Sequence, residues 1–242
     1  MNVQLTERVK CSECPIRHRA VCARCDDDEL SELEKIKSYR SFKAGETILW
    51  RGDELRHVSS VVHGIATLSK TLDDGRMQMV GLLLPSDFIG RPGRDTLDFD
   101  VTAASDVTLC SFERKPFERL LTETPHISQR LVEMAMDELD AARDWMVLLG
   151  RKTAREKLAS FIQMLVQRSH LVGEDIPRLN LPLTREEIAS YLGLTLETVS
   201  RQLTQFKNDG ILEFRDRRNF AILDHAGLLE ATGDDADGGV IY

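Results

Sequence analysis

The sequence predicts an α+β chain: a block of short strands, then a long helix, then a small helical domain with its own hairpin. Three observations carry this. Between residues 42 and 112, short apolar or alternating runs are cut by turn residues at roughly ten-residue spacing, as in an all-β roll or barrel. From Pro125 to Leu149, apolar residues recur at near-helical spacing, and no further Pro or Gly interrupts before Gly150. Around Gly193, two short amphipathic segments each open on a residue able to cap a helix.

With 242 residues, 42% hydrophobic and 30% charged, the chain has the balance of a globular protein and room for two modest domains. It contains no run of about 18 apolar residues, so no helix is expected to cross a membrane. Residues 1–10 are polar and lack the apolar core of a signal peptide. Both facts point to the cytoplasm. The net charge of −8 looks wrong for a nucleic-acid binder, but its distribution matters more. Residues 151–225 carry 12 Lys/Arg against 10 Asp/Glu, whereas residues 1–150 carry 20 against 26 and residues 226–242 none against 4. The C-terminal domain is the least acidic part, which permits DNA binding without proving it.

At the N-terminal end, Cys11, Cys14, Cys22 and Cys25 lie within 15 residues, and Cys110 stands apart. In a reducing compartment such a cluster suggests metal or redox chemistry rather than disulfides. A short amphipathic helix is expected over 28–37, with Leu30, Leu33 and Ile36 on one face. Candidate strands are 47–50, 59–62, 65–71, 77–84, 101–104 and 108–112. A short helix over 116–123 leads into the long one, whose apolar residues are Ile127, Leu131, Met134, Leu139, Met146 and Leu149. About 24 residues of helix span roughly 36 Å. That suits a spine between domains or a coiled-coil interface, and the dimer is the favoured reading over a monomer core. Another amphipathic helix, 153–167, presents Leu158, Phe161, Ile162 and Leu165. Residues 171–181 read as a loop, and the Asp- and Gly-rich residues 232–242 as a disordered tail.

Residues 183–206 carry the most informative pattern. Thr184 followed by Glu187 fits a capping box, with Ile188 and Leu192 on the inner face of the helix it opens. Gly193 permits a tight turn. Thr195 can then cap a second helix whose inner face is Val199, Leu203 and Phe206. Such a second helix lies in a major groove. Its other face presents Glu197, Ser200, Arg201 and Thr204. A glutamate can accept from cytosine N4, and an arginine can donate twice to guanine. The plainer reading of Glu197 and Arg201 is an i,i+4 ion pair on a surface. The residues C-terminal to this helix favour DNA: strands at 211–214 and 220–223 flank the basic turn Arg215-Asp216-Arg217-Arg218-Asn219. Helix, turn, helix and basic hairpin make a winged helix-turn-helix.

From Cys11 to about Asp224 the chain resembles the Crp/Fnr family of bacterial transcription regulators. The segment Tyr191-Leu192-Gly193-Leu194-Thr195-Leu196-Glu197-Thr198-Val199-Ser200-Arg201 is similar to the recognition element of its FNR branch. The resemblance implies an N-terminal cyclic-nucleotide-binding-like β-roll, a long dimerisation helix and a C-terminal winged helix-turn-helix. It implies that Glu197, Ser200 and Arg201 read TTGAT half-sites of an inverted repeat. Cyclic-AMP receptors of the family use a Gly-Glu and an Arg-Ser pair on the roll. Here the corresponding regions read Gly90-Arg91-Pro92-Gly93 and, approximately, Leu97-Asp98. The phosphate-holding arginine is missing, and Asp98 would repel an anion, so no cyclic nucleotide is expected.

FNR-type sensors hold an oxygen-labile [4Fe-4S] cluster with three N-terminal cysteines and one from the roll. The resemblance to the photosynthetic-bacterial FNR proteins implies Cys11, Cys14, Cys22 and Cys110 as ligands, a donor set such clusters require. Two rivals remain open. Cys11-x2-Cys14 with Cys22-x2-Cys25 could hold zinc without Cys110, and only family spacing prefers Cys22 to Cys25 as third cluster ligand. Cys110 could also be a small buried apolar residue. His18, between two arginines, and His63, before Gly64, need no metal role. No Ser/His/Asp or paired-carboxylate arrangement suggests an enzyme.

The expectation is thus an oxygen-responsive regulator, activator or repressor, that binds DNA as a homodimer while its cluster is intact. The alternative is a cluster-free or zinc-binding family member under another signal. RNA polymerase is an expected partner, with residues 72–76 as a possible contact. Asp137, Glu138, Asp140 and Asp144 on the long helix are expected to weaken the dimer by repulsion once the cluster is gone. The expected domains are a cysteine-rich segment 1–27, a β-roll 28–115, a dimerisation region 116–150, a DNA-binding domain 151–225 and an acidic tail 226–242.

Overall fold

The computed structural model describes residues 10–168 and 179–234. Most of the expected loop at 171–181 and residues 235–242 of the expected tail lie outside the described residues, as do residues 1–9. The chain divides into two units after Ala135, inside the long helix.

In the first unit a 3-10 turn, Cys11–Glu13, precedes helix α1, Asp27–Ile36. Asp26 caps α1 by accepting from the Glu29 backbone N–H, while the Glu29 carboxylate accepts from the Asp26 N–H. Eight strands follow: β1 (Lys37–Phe42), β2 (Thr47–Leu49), β3 (His57–His63), β4 (Ala66–Thr71), β5 (Met77–Leu83), β6 (Phe88–Ile89), β7 (Asp100–Ala103) and β8 (Val107–Glu113). They form two four-stranded antiparallel sheets, β1-β8-β3-β6 and β2-β7-β4-β5. All six expected strands are present, within two residues at either end. β1 and β6 are additional. β1 escapes sequence reading because Lys37-Ser38-Tyr39-Arg40-Ser41-Phe42 has few apolar residues, and its strand state rests on pairing with β8.

β8 explains how the unit is layered. Successive side chains of a strand point to opposite faces. Val107 and Leu109 enter the roll interior with Val61, Ala66, Val101 and Ala103. Cys110 and Phe112 face the other way, into a second core built with Ile16, Val21, Leu30, Leu33, Phe117 and Ile127. The strand is therefore buried on both faces, and the N-terminal cysteine segment is part of that second core. Helix α2, Arg114–Glu123, closes it: Phe117 is fully buried between Phe88 and Phe112, with ring centroids 5.8 and 5.4 Å away. At the β3–β4 turn Gly64 has φ +82°, and an added Cβ would lie 2.1 Å from the Asp106 carbonyl oxygen. Only glycine fits there.

Helix α3, Pro125–Arg151, is 27 residues long, about 40 Å. Its expected apolar face divides in two. Ile127, Leu131 and Met134 pack into the first unit's core, whereas Leu139 and Met146 are exposed, together with Val132, Met136 and Val147.

In the second unit, helix α4, Ala154–Arg168, buries Leu158, Phe161, Ile162 and Leu165, the expected face. The short strand β9, Leu179–Asn180, lies where a loop was expected, because Asn180 and Leu179 pair with Asn219 and Phe220. Helices α5 (Arg185–Leu192) and α6 (Leu196–Asn208) and strands β10 (Leu212–Phe214) and β11 (Asn219–Ile222) complete the winged helix-turn-helix. The expected boundary at 225, with a disordered tail beyond it, is corrected. His225–Glu230 form a further helix, α7, capped by Asp224 and held by Leu228, which is fully buried. The acidic, glycine-containing composition hid one apolar turn.

Candidate functional site

Two sites emerge, one in each unit. The first is a cavity between β8, β3, β1 and the cysteine segment. It is lined by Cys11, Cys14, Cys22 and Cys110, with Ile16, Val21, Leu33, Tyr39, Ser60 and Phe112. Cys25 is buried nearby in the same core but does not line the cavity. All five cysteines are free thiols. The segment between the cysteines is held by Arg17, whose guanidinium donates to the carbonyls of Cys22 and Ala23 at 3.2 Å and of Cys25 at 3.0 Å. That cation replaces regular secondary structure in satisfying the backbone of a short, sharply turning segment. Cys11 is approached by the Lys37 ammonium at 3.5 Å, and Lys37 in turn pairs with Glu34 at 3.2 Å.

Burial dominates the thiol chemistry. It pushes Cys22 up to about 11, with help from the neighbouring Cys14 and Cys11 sulfurs. Cys25 rises to about 12, first by burial and then by Cys22. Cys110 is raised further, by burial and then by Cys14, Cys11 and Cys22. Cys11 is also raised by burial, against the opposing pull of Lys37. Metal-free, these thiols are kept protonated. A bound cation would supply the charge that makes them thiolates.

The donor set is four sulfurs converging on one cavity, which suits a soft metal or an iron–sulfur group. A tetrahedral zinc with bonds of about 2.3 Å needs sulfurs about 4 Å apart. Among the described residues no three cysteine sulfurs lie within 4.8 Å of one another. Cys11, Cys14, Cys22 and Cys110 around one cavity supply the four thiolates that an iron–sulfur group takes. One polar atom in the lining also lacks a partner. Ser60 Oγ is fully buried and makes no hydrogen bond, a cost of about 1–3 kcal/mol in an apolar setting.

The segment also touches α3. Arg24 pairs with Glu133 at 2.8 Å, Arg130 donates to the Arg19 carbonyl at 2.9 Å, and Glu29 meets His126 at 3.0 Å. Sequence reading missed these links, since charges 97 to 111 residues apart give no local signal.

The second site is α6. Thr184 accepts from the Glu187 N–H at 3.2 Å, and the Glu187 carboxylate accepts from the Thr184 N–H at 2.6 Å, so the expected capping box starts α5. Gly193 ends it in the left-handed region at φ 62° and ψ 41°. Thr195 then caps α6 by accepting from the Thr198 N–H at 3.2 Å. The inner face, Val199, Leu203 and Phe206, is buried. Glu197 and Arg201 are exposed and share one face, and Ser200 is half-buried beside them. Among the described residues no ion pair joins Glu197 to Arg201, so the simple surface pair does not form. Backbone hydrogen bonding at the start of α6 and the Thr195 hydroxyl hold the Glu197 carboxyl below its usual range, so it stays an acceptor. Ser200 Oγ accepts from Arg185 at 3.3 Å, which fixes it and brings a cation of α5 to the same surface. Sequence reading missed Arg185. In the wing, Asp216 accepts from the Arg218 and Asn219 backbones at 2.8 Å, and Arg215, Arg217 and Arg218 are exposed.

Known proteins match the chain along the same division. Residues 156–231 match the model of the Crp-like helix-turn-helix domain, and residues 39–124 that of the cyclic nucleotide-binding domain. The chain is similar to the transcriptional activator protein FnrL of Cereibacter sphaeroides: 58% identical over 235 residues, covering 96% of this chain and 95% of that one. It is 41% identical to the nitrogen fixation regulation protein FixK of Bradyrhizobium diazoefficiens, covering 84% and 85%. Among solved structures, FixK2 from Bradyrhizobium japonicum superposes with a TM-score of 0.76 at 32% identity, covering 83% of this chain and all of that one.

Proposed function

The chain belongs to the Crp/Fnr family of DNA-binding transcription regulators, and we propose that it is an oxygen-responsive activator, acting in the cytoplasm as a homodimer on TTGAT-type inverted repeats. The single observation that carries the oxygen-sensing part is the cavity in which Cys11, Cys14, Cys22 and Cys110 converge while Cys25 does not. Those four cysteines would hold a [4Fe-4S] cluster, which supplies an oxygen-labile link between the N-terminal segment and the roll.

The chain's own residues relay that link. Cys110 sits on β8, the strand at the centre of the unit, and the other three sit on the segment that Arg17 braces. With the segment seated, Arg24 and the Arg19 carbonyl reach Glu133 and Arg130, and so set the first turns of α3. Along α3, Val132, Met136, Leu139 and Met146 are exposed at spacings of four, three and seven residues. Those spacings fit the seam of a two-stranded coiled coil and support the dimer. Of the acidic residues expected to oppose dimerisation, only Asp140 flanks that seam. It is paired with Arg143 at 2.8 Å, which offsets part of its charge. A dimer presents two α6 helices to half-sites one DNA turn apart. Glu197 and Arg201 then read base edges, Ser200 and Arg185 support them, and the wing arginines contact phosphate. On the roll, the resemblance puts Asp98 where an anionic nucleotide would need a cation, which supports control without one. The exposed β4–β5 turn, with Leu72 and Met77 beside it, is the proposed contact with RNA polymerase.

The test is DNA binding with and without oxygen. Anaerobic protein should bind a TTGAT inverted repeat as a dimer, and air or Cys110→Ala should abolish that binding. Equal binding by all three would remove the oxygen-sensing reading and leave the family assignment intact.

A further inference from the structure

Cys110 has two cross-strand neighbours on its own face of the sheet, Tyr39 on β1 and Ser60 on β3. One residue along, Ser59 and Ser111 are also paired across the strands, and their side chains point to the opposite face. The two serines of β3 are treated very differently. Ser59 Oγ shares a 2.8 Å hydrogen bond with Ser111 Oγ, entirely out of water. Ser60 Oγ is equally buried, lines the cysteine cavity and has no partner. Alanine would fill the same place without stranding a hydroxyl, so the hydroxyl needs a partner from outside the polypeptide.

From this we propose that Ser60 is a positioning residue for the iron–sulfur group: its hydroxyl donates a hydrogen bond to a sulfur of that group, the Cys110 thiolate or a bridging sulfide. The inference rests on the cluster reading above. The chemistry fits, because Ser60 has one O–H to give, and the anionic sulfurs introduced with the metal are the acceptors that the metal-free cavity lacks. Hydrogen bonds to cluster sulfurs offset their negative charge and govern how readily the cluster is oxidised. Ser60 would therefore set how much oxygen the sensor tolerates.

The test compares parent, Ser60→Ala and Ser60→Thr proteins, each purified without oxygen and assayed for iron, sulfide and the rate at which visible absorption fades at a fixed oxygen concentration. Ser60→Ala should fade about tenfold faster, the lower range for loss of an outer-shell partner. Ser60→Thr, which keeps the hydroxyl, should restore most of the parent's lifetime. Thermal melting of the metal-free proteins supplies the control. Metal-free Ser60→Ala should melt no lower than the parent, because its hydroxyl bonds to nothing there. A parental fading rate in Ser60→Ala overturns the proposal. So does a Ser60→Ala protein weakened equally with and without the cluster, or a threonine variant as labile as the alanine one. A parent that holds no iron overturns the cluster reading and this inference together, whereas a parent with iron and an unaffected alanine variant overturns this one alone.

Discussion

Replacing Arg201 by alanine separates base reading from every other role of α6. The side chain is exposed on the helix and joined to neither Glu197 nor any other described carboxylate. Truncating it removes no internal contact, so unfolding free energy should stay within about 0.5 kcal/mol of the parent. On DNA, each bidentate contact to guanine contributes about 1–3 kcal/mol of discrimination. A dimer makes the contact twice, so the inverted repeat should lose about 2–6 kcal/mol. At 1.4 kcal/mol per tenfold, that is roughly 30-fold to 10⁴-fold in affinity. Fluorescence anisotropy on the repeat and on a scrambled duplex, at two salt concentrations, reads both terms. Arg201→Ala should approach the parent's affinity for scrambled DNA and keep its salt slope. Arg217→Ala in the wing should do the reverse. It should weaken both duplexes alike and lower the salt slope by about one per subunit. Equal weakening on both duplexes by Arg201→Ala would refute base reading by this residue.

Three other expectations are independent of that one. Thr184→Ala removes a reciprocal cap and should cost about 1 kcal/mol in urea denaturation, whereas no change would mean that α5 does not depend on it. Leu139→Asp places a charge in the exposed seam of α3 and should give monomers by sedimentation at concentrations where the parent is dimeric; a dimeric variant would move the interface elsewhere. Asp216 has its carboxyl held down to about 2 by bonds from Asn219 and Arg218, against an ordinary 3.8. Because the folded value is the lower one, its contribution to the wing is complete above about 3.8 and is lost as pH falls towards 2. An NMR titration should show the Arg218 and Asn219 amides shifting near pH 2, and a midpoint near 4 would mean that the turn is not held this way.

Local rules made the second unit legible. The capping box at Thr184, the left-handed Gly193 and the cap at Thr195 each act over three or four residues, and the structure has all three. The roll was legible as strands but not as sheets. β1 and β6 owe their state to partners far along the chain, and alternation cannot reveal a strand whose residues are mostly polar. The faces of α3 were blurred for a related reason: a single apolar periodicity was read where one stretch packs inward and another is left exposed. At the cysteine site, only the spacing of the resembling family preferred Cys22 to Cys25. The distinction lies in how the segment between them folds onto β8, with Arg17 gathering three carbonyls, and no short-range pattern encodes that. Ser60 was invisible for the same reason. Its importance comes from standing opposite Cys110 without a partner.

The most direct test of the central claim is the iron, sulfide and zinc content of the protein purified without oxygen, measured for the parent and for Cys22→Ala, Cys25→Ala and Cys110→Ala. The account predicts about four irons and four sulfides per chain in the parent and in Cys25→Ala, and their loss in Cys22→Ala. About one zinc per chain, lost in Cys25→Ala and kept in Cys110→Ala, would contradict it and assign the metal to the four N-terminal cysteines instead.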